Sequence, residues 1–370
     1  MTNRTIGILT WRSGTKFAEP AYFRRLIKEG KELGATVFLF SPDDVFEAKR
    51  QIRGYIPSSE GGWMSKWFNW PDIVIDRYRY YPKPKHKNYL SFRKRPLFNY
   101  ANSRFSSKWN VYQVLAQDEQ MHRWLPETEE FSKEHLLEMI DKYPVIYVKP
   151  NNGTGGRSIV RIKKNKGQFH LMGRSKHDNR KVITEVSGKN QLLKWVERWI
   201  EDEKLENEFF LVQQGLDLNL VPDRTVDMRL LIQKDEFGVW KITGVGVRVG
   251  GEKSSTSNLH GGGKAVDAIA FLKPRFGMAK TNQILEDCSQ LAYRLVHVVE
   301  NHYGRMMEFG LDIGIDVNGR VWLIEQNPKP GRDIFKGLKQ TARYKQAIKR
   351  PLQYALYLLK TQQSENASSG

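Results

Sequence analysis

The chain has 370 residues, 39% of them hydrophobic and 12% aromatic, which is enough for a large core and too many for one ordinary domain. Mean hydropathy is −0.59, and no apolar run approaches the roughly 20 residues of a membrane-crossing helix, which excludes a helical span. Against 41 Asp and Glu stand 60 Lys and Arg, a formal charge of +19, and the single Cys288 excludes an internal disulfide and a cysteine-rich zinc site.

A charge of this size attracts nucleotides, nucleic acid, acidic polymers or an anionic surface; a well-solvated basic surface is the plainer reading. The cations are spread along the chain, densest in KPKHKNYLSFRKR (83–95) and RYKQAIKR (343–350). The N-terminus, MTNRTIGILTWRSG, does not resemble a signal peptide. Together with the lone cysteine, it predicts a cytoplasmic protein.

In chain order, TIGILTW (5–11) predicts a buried strand, and PAYFRRLIKEGKELG (20–34) a helix opened by Pro20 and stopped by Gly34. ATVFLFSP (35–42) and PDIVIDRY (71–78) predict two further strands, so the chain opens as a small parallel α/β unit. The tryptophan-bearing stretch 47–70 stays ambiguous. Ser107 is placed to cap a helix from Lys108 to about Gln120, with a loop or strand at LPET. Ser132 is placed to cap FSKEHLLEMIDKYP (131–144), with Pro144 ending that helix. VIYVKP and SIVRIKK (158–164) predict a hairpin across YVKPNNGTGGRSI, followed by a helix at 191–200 and a strand at 209–216. TVDMRLLIQK and VWKITGVGVRVGG predict antiparallel strands joined by DEFG, and 251–266 a long polar loop. A helix over 282–304 precedes a hairpin in GLDIGIDVNGRVWLIEQNPKP, turned at Asn318-Gly319. The last segment predicts a helix interrupted at Pro351, then a frayed tail, TQQSENASSG.

The glycine stretch after Lys149 matches neither a Walker loop nor a dinucleotide fingerprint. Between two strands its glycines would let backbone N–H groups approach phosphate, although such a stretch is more often only a turn. In the last hairpin, period 2 puts Glu325 and Asn327 on one strand face, with Asp312 on the opposite strand. Three oxygen side chains on one patch suit Mg²⁺. A charge at the end of the apolar run Val321-Trp322-Leu323-Ile324 needs a purpose or a partner. Asp227 and Arg229 share a strand face, so Arg229 either faces an anion or pairs with Asp227. His260 is read as a loop residue and Cys288 as a helix-core residue.

The order of these pieces resembles the ATP-grasp superfamily over about residues 100–332: Lys108, Lys149 and the glycine flap, Gln213-Gln214, Asp-x-Arg, a second glycine loop, then Asp312 and Glu325-x-Asn327-Pro. The metal end resembles D-alanine–D-alanine ligases and ribosomal-protein glutamate ligases, and SNLHGGG (257–263) the mobile loop of the latter group. GILT, FNYANSRFSSKW and IEQNPKPGR are similar to the spore-coat-associated YheC/YheD family.

The resemblance implies an ATP-grasp fold, two α+β subdomains sandwiching ATP, preceded by a small parallel α/β domain. The expected boundaries are 1–98 for the N-terminal domain, 99–210 and 211–360 for the subdomains, and 361–370 for a disordered tail. It implies phosphate contacts from Lys108 and Lys149 and a flap of Gly153, Thr154, Gly155 and Gly156. Gln213, Gln214 and Leu216 would meet adenine, and Asp217 the ribose. Asp312, Glu325 and Asn327 would hold Mg²⁺, and Arg229 would stabilise an acyl phosphate, with Arg248 and Arg332 as further candidates.

This chain departs from the pattern in three places. Gly310 stands where D-alanine ligases have an arginine, glutamines stand where a hinge acid is common, and Gly261 stands where the glutamate ligases have an arginine. The expected function is ATP-dependent ligation of a carboxylate to an amine, on an amino-acid, peptide or acidic polymer substrate, with spore-coat proteins as partners. The rivals are a non-catalytic ATP-binding assembly protein and a basic nucleic-acid binder; no RNA-binding signature supports the latter.

Overall fold

A computed structural model describes residues 4–80, 86–104, 108–151, 157–178, 180–204, 209–251 and 263–368. Ser107, the flap positions Gly153, Thr154, Gly155 and Gly156, His260 and Gly261 lie outside the described residues.

In the N-terminal region, β1 (Arg4–Leu9) runs parallel to and between β4 (Ala35–Phe40) and β8 (Ile73–Asp76). Its residues 6–9 are buried, which is why the segment is an unbroken apolar run rather than an alternating one. A two-rung hairpin, β2 (Arg12–Ser13) with β3 (Lys16–Phe17), leads to α1 (Pro20–Glu32). Pro20 opens α1, where its missing N–H has no helical partner to lose. The ambiguous tryptophan stretch is an antiparallel extension of the same sheet. It comprises β5 (Val45–Phe46), β6 (Gln51–Pro57) and β7 (Trp63–Asn69), in the order β5-β6-β4-β1-β8 with β7 on β6. Helix α2 (Lys87–Lys94) buries Tyr89 and Phe92 in a cluster with Phe38 and Phe40.

Next, α3 (Lys108–Ala116) leads to a six-stranded antiparallel sheet of order β13-β12-β11-β10-β14-β9. Its strands are β9 (Thr128–Glu130), β10 (Val145–Pro150), β11 (Val160–Asn165), β12 (Gln168–Arg174), β13 (Lys181–Ser187) and β14 (Phe210–Gln214). Helices α4 (Lys133–Lys142) and α5 (Gly188–Glu203) cover it through Leu136, Ile140, Leu192 and Val196. As the sequence predicts, Ser132 caps α4, its Oγ accepting the His135 N–H at 3.0 Å.

The third sheet, β17-β16-β15-β18-β19, comprises β15 (Val226–Lys234), β16 (Trp240–Val249), β17 (Lys264–Val266), β18 (Glu308–Ile315) and β19 (Val321–Asn327). Leu230, Ile232, Leu311 and Ile313 pack against α6 (Ala268–Tyr303), leaving the alternate positions 227, 229 and 312 for the opposite face. Gly319 takes the β18–β19 turn at φ +77°, a conformation that favours glycine.

Two helices differ from the sequence reading. α6 starts at Ala268 rather than near 282, capped by Asp267, whose Oδ1 accepts from the Ile269 and Ala270 N–H groups at 3.0 and 3.1 Å. Pro274 and a break at Gly277 (φ 73°) conceal this first segment in the sequence.

Helix α7 (Asp333–Gly337) is followed by α8 (Thr341–Ser368), which continues through Pro351 and well past 361. Proline at 351 cannot donate to the Ala347 carbonyl. That carbonyl instead accepts from Gln233 Nε2 (2.9 Å) and Arg332 Nε (3.2 Å). α8 closes the N-terminal core: Ala347, Leu352 and Ala355 cluster with Phe23, Leu26 and Ile6. Near its end, Gln362 Oε1 accepts from Asn99 Nδ2 at 2.9 Å, which ties the expected tail to the N-terminal region.

Candidate active site

The three parts meet around a cavity of 1360 Å³. Lys108 is the first residue of α3, and Lys149 projects from β10; both line the cavity. Lys149 Nζ donates to Gln213 Oε1 at 2.7 Å, while Gln213 Nε2 donates to Thr128 Oγ1 at 2.7 Å. A neutral amide, held at its other end, therefore aims the ammonium. Burial first, and then the Lys108 charge, push Lys149 down to about 8 against the pull of Glu325. An acid at position 213 would hold Lys149 as an ion pair; the glutamine accepts its hydrogen bond without neutralising it.

The opposite wall is a row of charges set by strand register. Arg229 pairs across the sheet with Asp312, Asp312 with Glu325, and Asp227 with Arg248. Arg229 Nε donates to Asp312 Oδ1 at 2.6 Å, and Arg248 Nη2 lies 3.0 Å from the same oxygen. Arg248 Nε donates to Asp227 Oδ1 at 2.7 Å. Burial pulls the Arg248 guanidinium down, but Asp227 and Asp312 more than reverse this and raise it. Arg229 is thus paired with Asp312, and Asp227 with Arg248.

Gly310 is explained by the same row. A Cβ there would come within 3.0 Å of Arg229 Nη1 and 2.6 Å of Pro330 Cβ, so the Arg229 guanidinium occupies the space above it.

Across the cavity, Lys108 Nζ lies 3.1 Å from Glu325 Oε1. Asn327, two residues further along β19, also lines the cavity. Among the described residues no group of three or more His, Cys, Asp or Glu could hold a metal. Two carboxylates and one amide oxygen nevertheless fit a hard cation that keeps positions for water and phosphate.

Several expected residues lie elsewhere. Gln214 accepts the Glu127 N–H at 3.2 Å, and Asp217 accepts from Asn219 Nδ2 at 2.9 Å; neither they nor Leu216 line the cavity. Arg332 is corrected most clearly. It is 3% exposed, paired with Glu308, and donates to the Pro330 carbonyl at 2.6 Å. It therefore braces the loop after β19 and does not reach the cavity.

The sequence reading missed the N-terminal wall, which includes Tyr22, Tyr78, Arg79 and Tyr89. Lys329, in the NPKPG stretch, joins it to the end of β19. Its Nζ donates to Asp76 Oδ1 (2.8 Å) and the Tyr78 carbonyl (2.6 Å). In return, Arg79 Nη2 donates to the Lys329 carbonyl (3.0 Å) and Arg77 Nη2 to the Pro330 carbonyl (2.6 Å). A second hollow of 650 Å³, lined by Arg123, Trp124 and Arg294 among others, contains none of the motif residues.

The family described as "YheC/D like ATP-grasp" matches residues 97–358. The chain belongs to the YheC/D-like ATP-grasp family. The endospore coat-associated protein YheD of Bacillus subtilis (strain 168) is 30% identical over 348 residues, 91% of this chain and 74% of YheD. YheC of the same organism is 26% identical over 326 residues, 85% of this chain and 86% of YheC. Among solved structures, the chain is similar to the D-cycloserine synthetase DcsG (TM-score 0.54, 12% identity, 96% of this chain and 99% of that one). It is also similar to the D-alanyl-alanine synthetase A of Vibrio cholerae O1 biovar eltor (TM-score 0.53, 14% identity, 96% and 99%). These likenesses carry the fold, and the YheC/D-like chain has the ATP-grasp fold.

Proposed function

We propose that the chain is an ATP-dependent ligase that activates a carboxylate as an acyl phosphate for attack by an amine. The observation that carries this reading is the Lys108–Glu325 contact of 3.1 Å. It brings the lysine-bearing and carboxylate-bearing halves, far apart in sequence, to opposite sides of one cavity.

In the proposed reaction a substrate carboxylate oxygen attacks the γ-phosphorus of ATP, the bond to the β-phosphate oxygen breaks, and ADP leaves. The amine then attacks the acyl carbon, the acyl–oxygen bond breaks, phosphate leaves, and the amine loses a proton. Phosphoryl transfer of this kind is served mainly by positioning and charge. Lys108 and Lys149 would offset the phosphate charge, with Gln213 aiming Lys149 and touching no phosphate itself. Arg229 and Arg248 line the same cavity and would face charge developing on the acyl group. Arg332 is left out of this role. Asp312, Glu325 and Asn327 would hold Mg²⁺, which when bound supplies further neutralisation of the phosphates.

By likeness to YheD and YheC, named as endospore coat-associated, we place the protein in association with the spore coat. The substrate we propose, an amino acid, peptide or acidic polymer, follows from the ligase reading and the basic charge. The test is ADP and phosphate release from Mg-ATP across a panel of carboxylates and amines, with mass spectrometry of the products. Mg-ATP binding without turnover on any panel member would instead make it a non-catalytic ATP-binding assembly protein.

A further inference from the structure

Pockets that hold one small ligand run to about 300–1,000 Å³, whereas this cavity measures 1360 Å³. The space beyond Lys149 and Glu325 is walled by the start of α1, the segment 78–80, α2 and the loop after Asn327. Among the described residues, twelve charged side chains line the cavity, eight of them Lys or Arg and four Asp or Glu. Part of that excess lies away from the lysine–carboxylate contact, in Arg79, Arg104, Lys329 and Lys336 set against Glu19 and Asp333. Arg79, Lys329 and Lys336 are held by Glu19, Asp76 and Asp333. Arg104 is exposed and makes no ion pair among the described residues. Beside these charges, Tyr78 stacks on Tyr89 at 4.3 Å and Tyr89 on Tyr80 at 5.8 Å. The outer ring, Tyr80, is 38% exposed and offers an apolar shelf within a basic surround.

We propose that this half of the cavity is a subsite for an acidic, chain-like substrate, a peptide bearing several carboxylates. One carboxylate reaches the reacting end, and its neighbours meet Arg104 and Lys336 with their methylene stems on Tyr80. The inference rests on the ligase reading, because the activated group must be a carboxylate. The same requirement sets an acidic peptide above a nucleic acid, whose phosphates match the charge but offer no carboxylate.

The test uses the full chain without nucleotide and fluorescein-labelled hexaglutamate, read by fluorescence anisotropy. Binding should weaken as salt rises. Unlabelled hexaglutamate should displace the probe, and hexaglutamine should not. The double variant Arg104→Glu, Lys336→Glu should bind the probe roughly tenfold more weakly, with unchanged melting temperature and Mg-ATP affinity. Should charge reversal impair folding, Arg104→Ala with Lys336→Ala should weaken binding about threefold in the same assay. Equal displacement by hexaglutamine, undiminished binding by a folded variant, or tighter binding of a single-stranded oligonucleotide of matched charge would overturn the subsite. Hexaglutamate binding with no ADP release from any amine would remove the ligation and keep the subsite. ADP release with neutral amino acids and no hexaglutamate binding would do the reverse.

Discussion

The two walls of the cavity handle charge in opposite ways. On the β10–β14 side, Lys149 meets an uncharged amide, Gln213, and its proton is loosely held. On the β15–β19 side, Arg229, Arg248, Asp227 and Asp312 form a closed row of opposite charges. On the proposed reading, the first wall offers its lysine to the phosphates of the nucleotide. The second is fixed in place by mutual neutralisation, which holds Asp312 beside Glu325 but also makes each member structurally necessary. Buried pairs of this kind add little net stability when intact, yet cost several kcal/mol when one partner is removed.

The largest test of this contrast is Glu325→Gln, which should lower substrate-dependent ADP release by roughly 10²–10³-fold while the protein melts as the parent does. Unchanged turnover would remove Glu325 from the reaction. Asp312→Asn should be as inactive but should also melt lower. It leaves Arg229 and Arg248 facing a neutral amide, at a cost of about 3 kcal/mol. Calorimetry showing the two variants equally stable would break the distinction between the paired row and the more exposed Glu325.

Lys149→Met should lower kcat/KM by roughly 10²-fold without lowering the melting temperature, since it removes a charge that burial already disfavours. A clear loss of stability would show that Lys149 is a packing element of the lysine wall. Gln213→Glu should weaken nucleotide binding by about tenfold, because a carboxylate gives Lys149 a charged partner that competes with phosphate. Tighter binding, measured by titration calorimetry, would contradict the role given to the neutral amide.

The smallest effect is in protons. With Lys149 near 8 in the free protein, an anion beside it raises its affinity for a proton, so nucleotide binding near pH 8 should take up a fraction of one. Calorimetry in buffers of different ionisation enthalpy measures this, and Lys149→Met should abolish it. In folding, the native chain holds fewer protons than the unfolded one between about 8 and the ordinary lysine value. The Lys149 contribution to stability therefore rises across that pH window.

What could be read beforehand was local. The Ser132 cap, the Asn318-Gly319 turn and the apolar strand at β1 each follow from a few adjacent residues, and each stands where the sequence puts it. The pieces that misled also have local causes, answered only from a distance. Pro351 signals a break, yet α8 continues because Gln233 and Arg332 satisfy the Ala347 carbonyl that the proline leaves without its helical donor. Pro274 and the kink at Gly277 conceal the first turns of α6 in the sequence. At the site, Lys108, Lys149, Asp312, Glu325 and Asn327 do come together, while Arg332 turns into a buried brace and Gln214 back onto the chain.

The sequence by itself determined which residues alternate along each strand, where the turns fall, and therefore which side chains each strand offers to one face. Tertiary structure alone decided who faces whom: Arg229 against Asp312 rather than Asp227, Gln213 against Lys149, and Lys329 inserted beside Asp76. Period and turn chemistry are properties of neighbouring residues, whereas the partner of a charge depends on strand register and on contacts between distant segments.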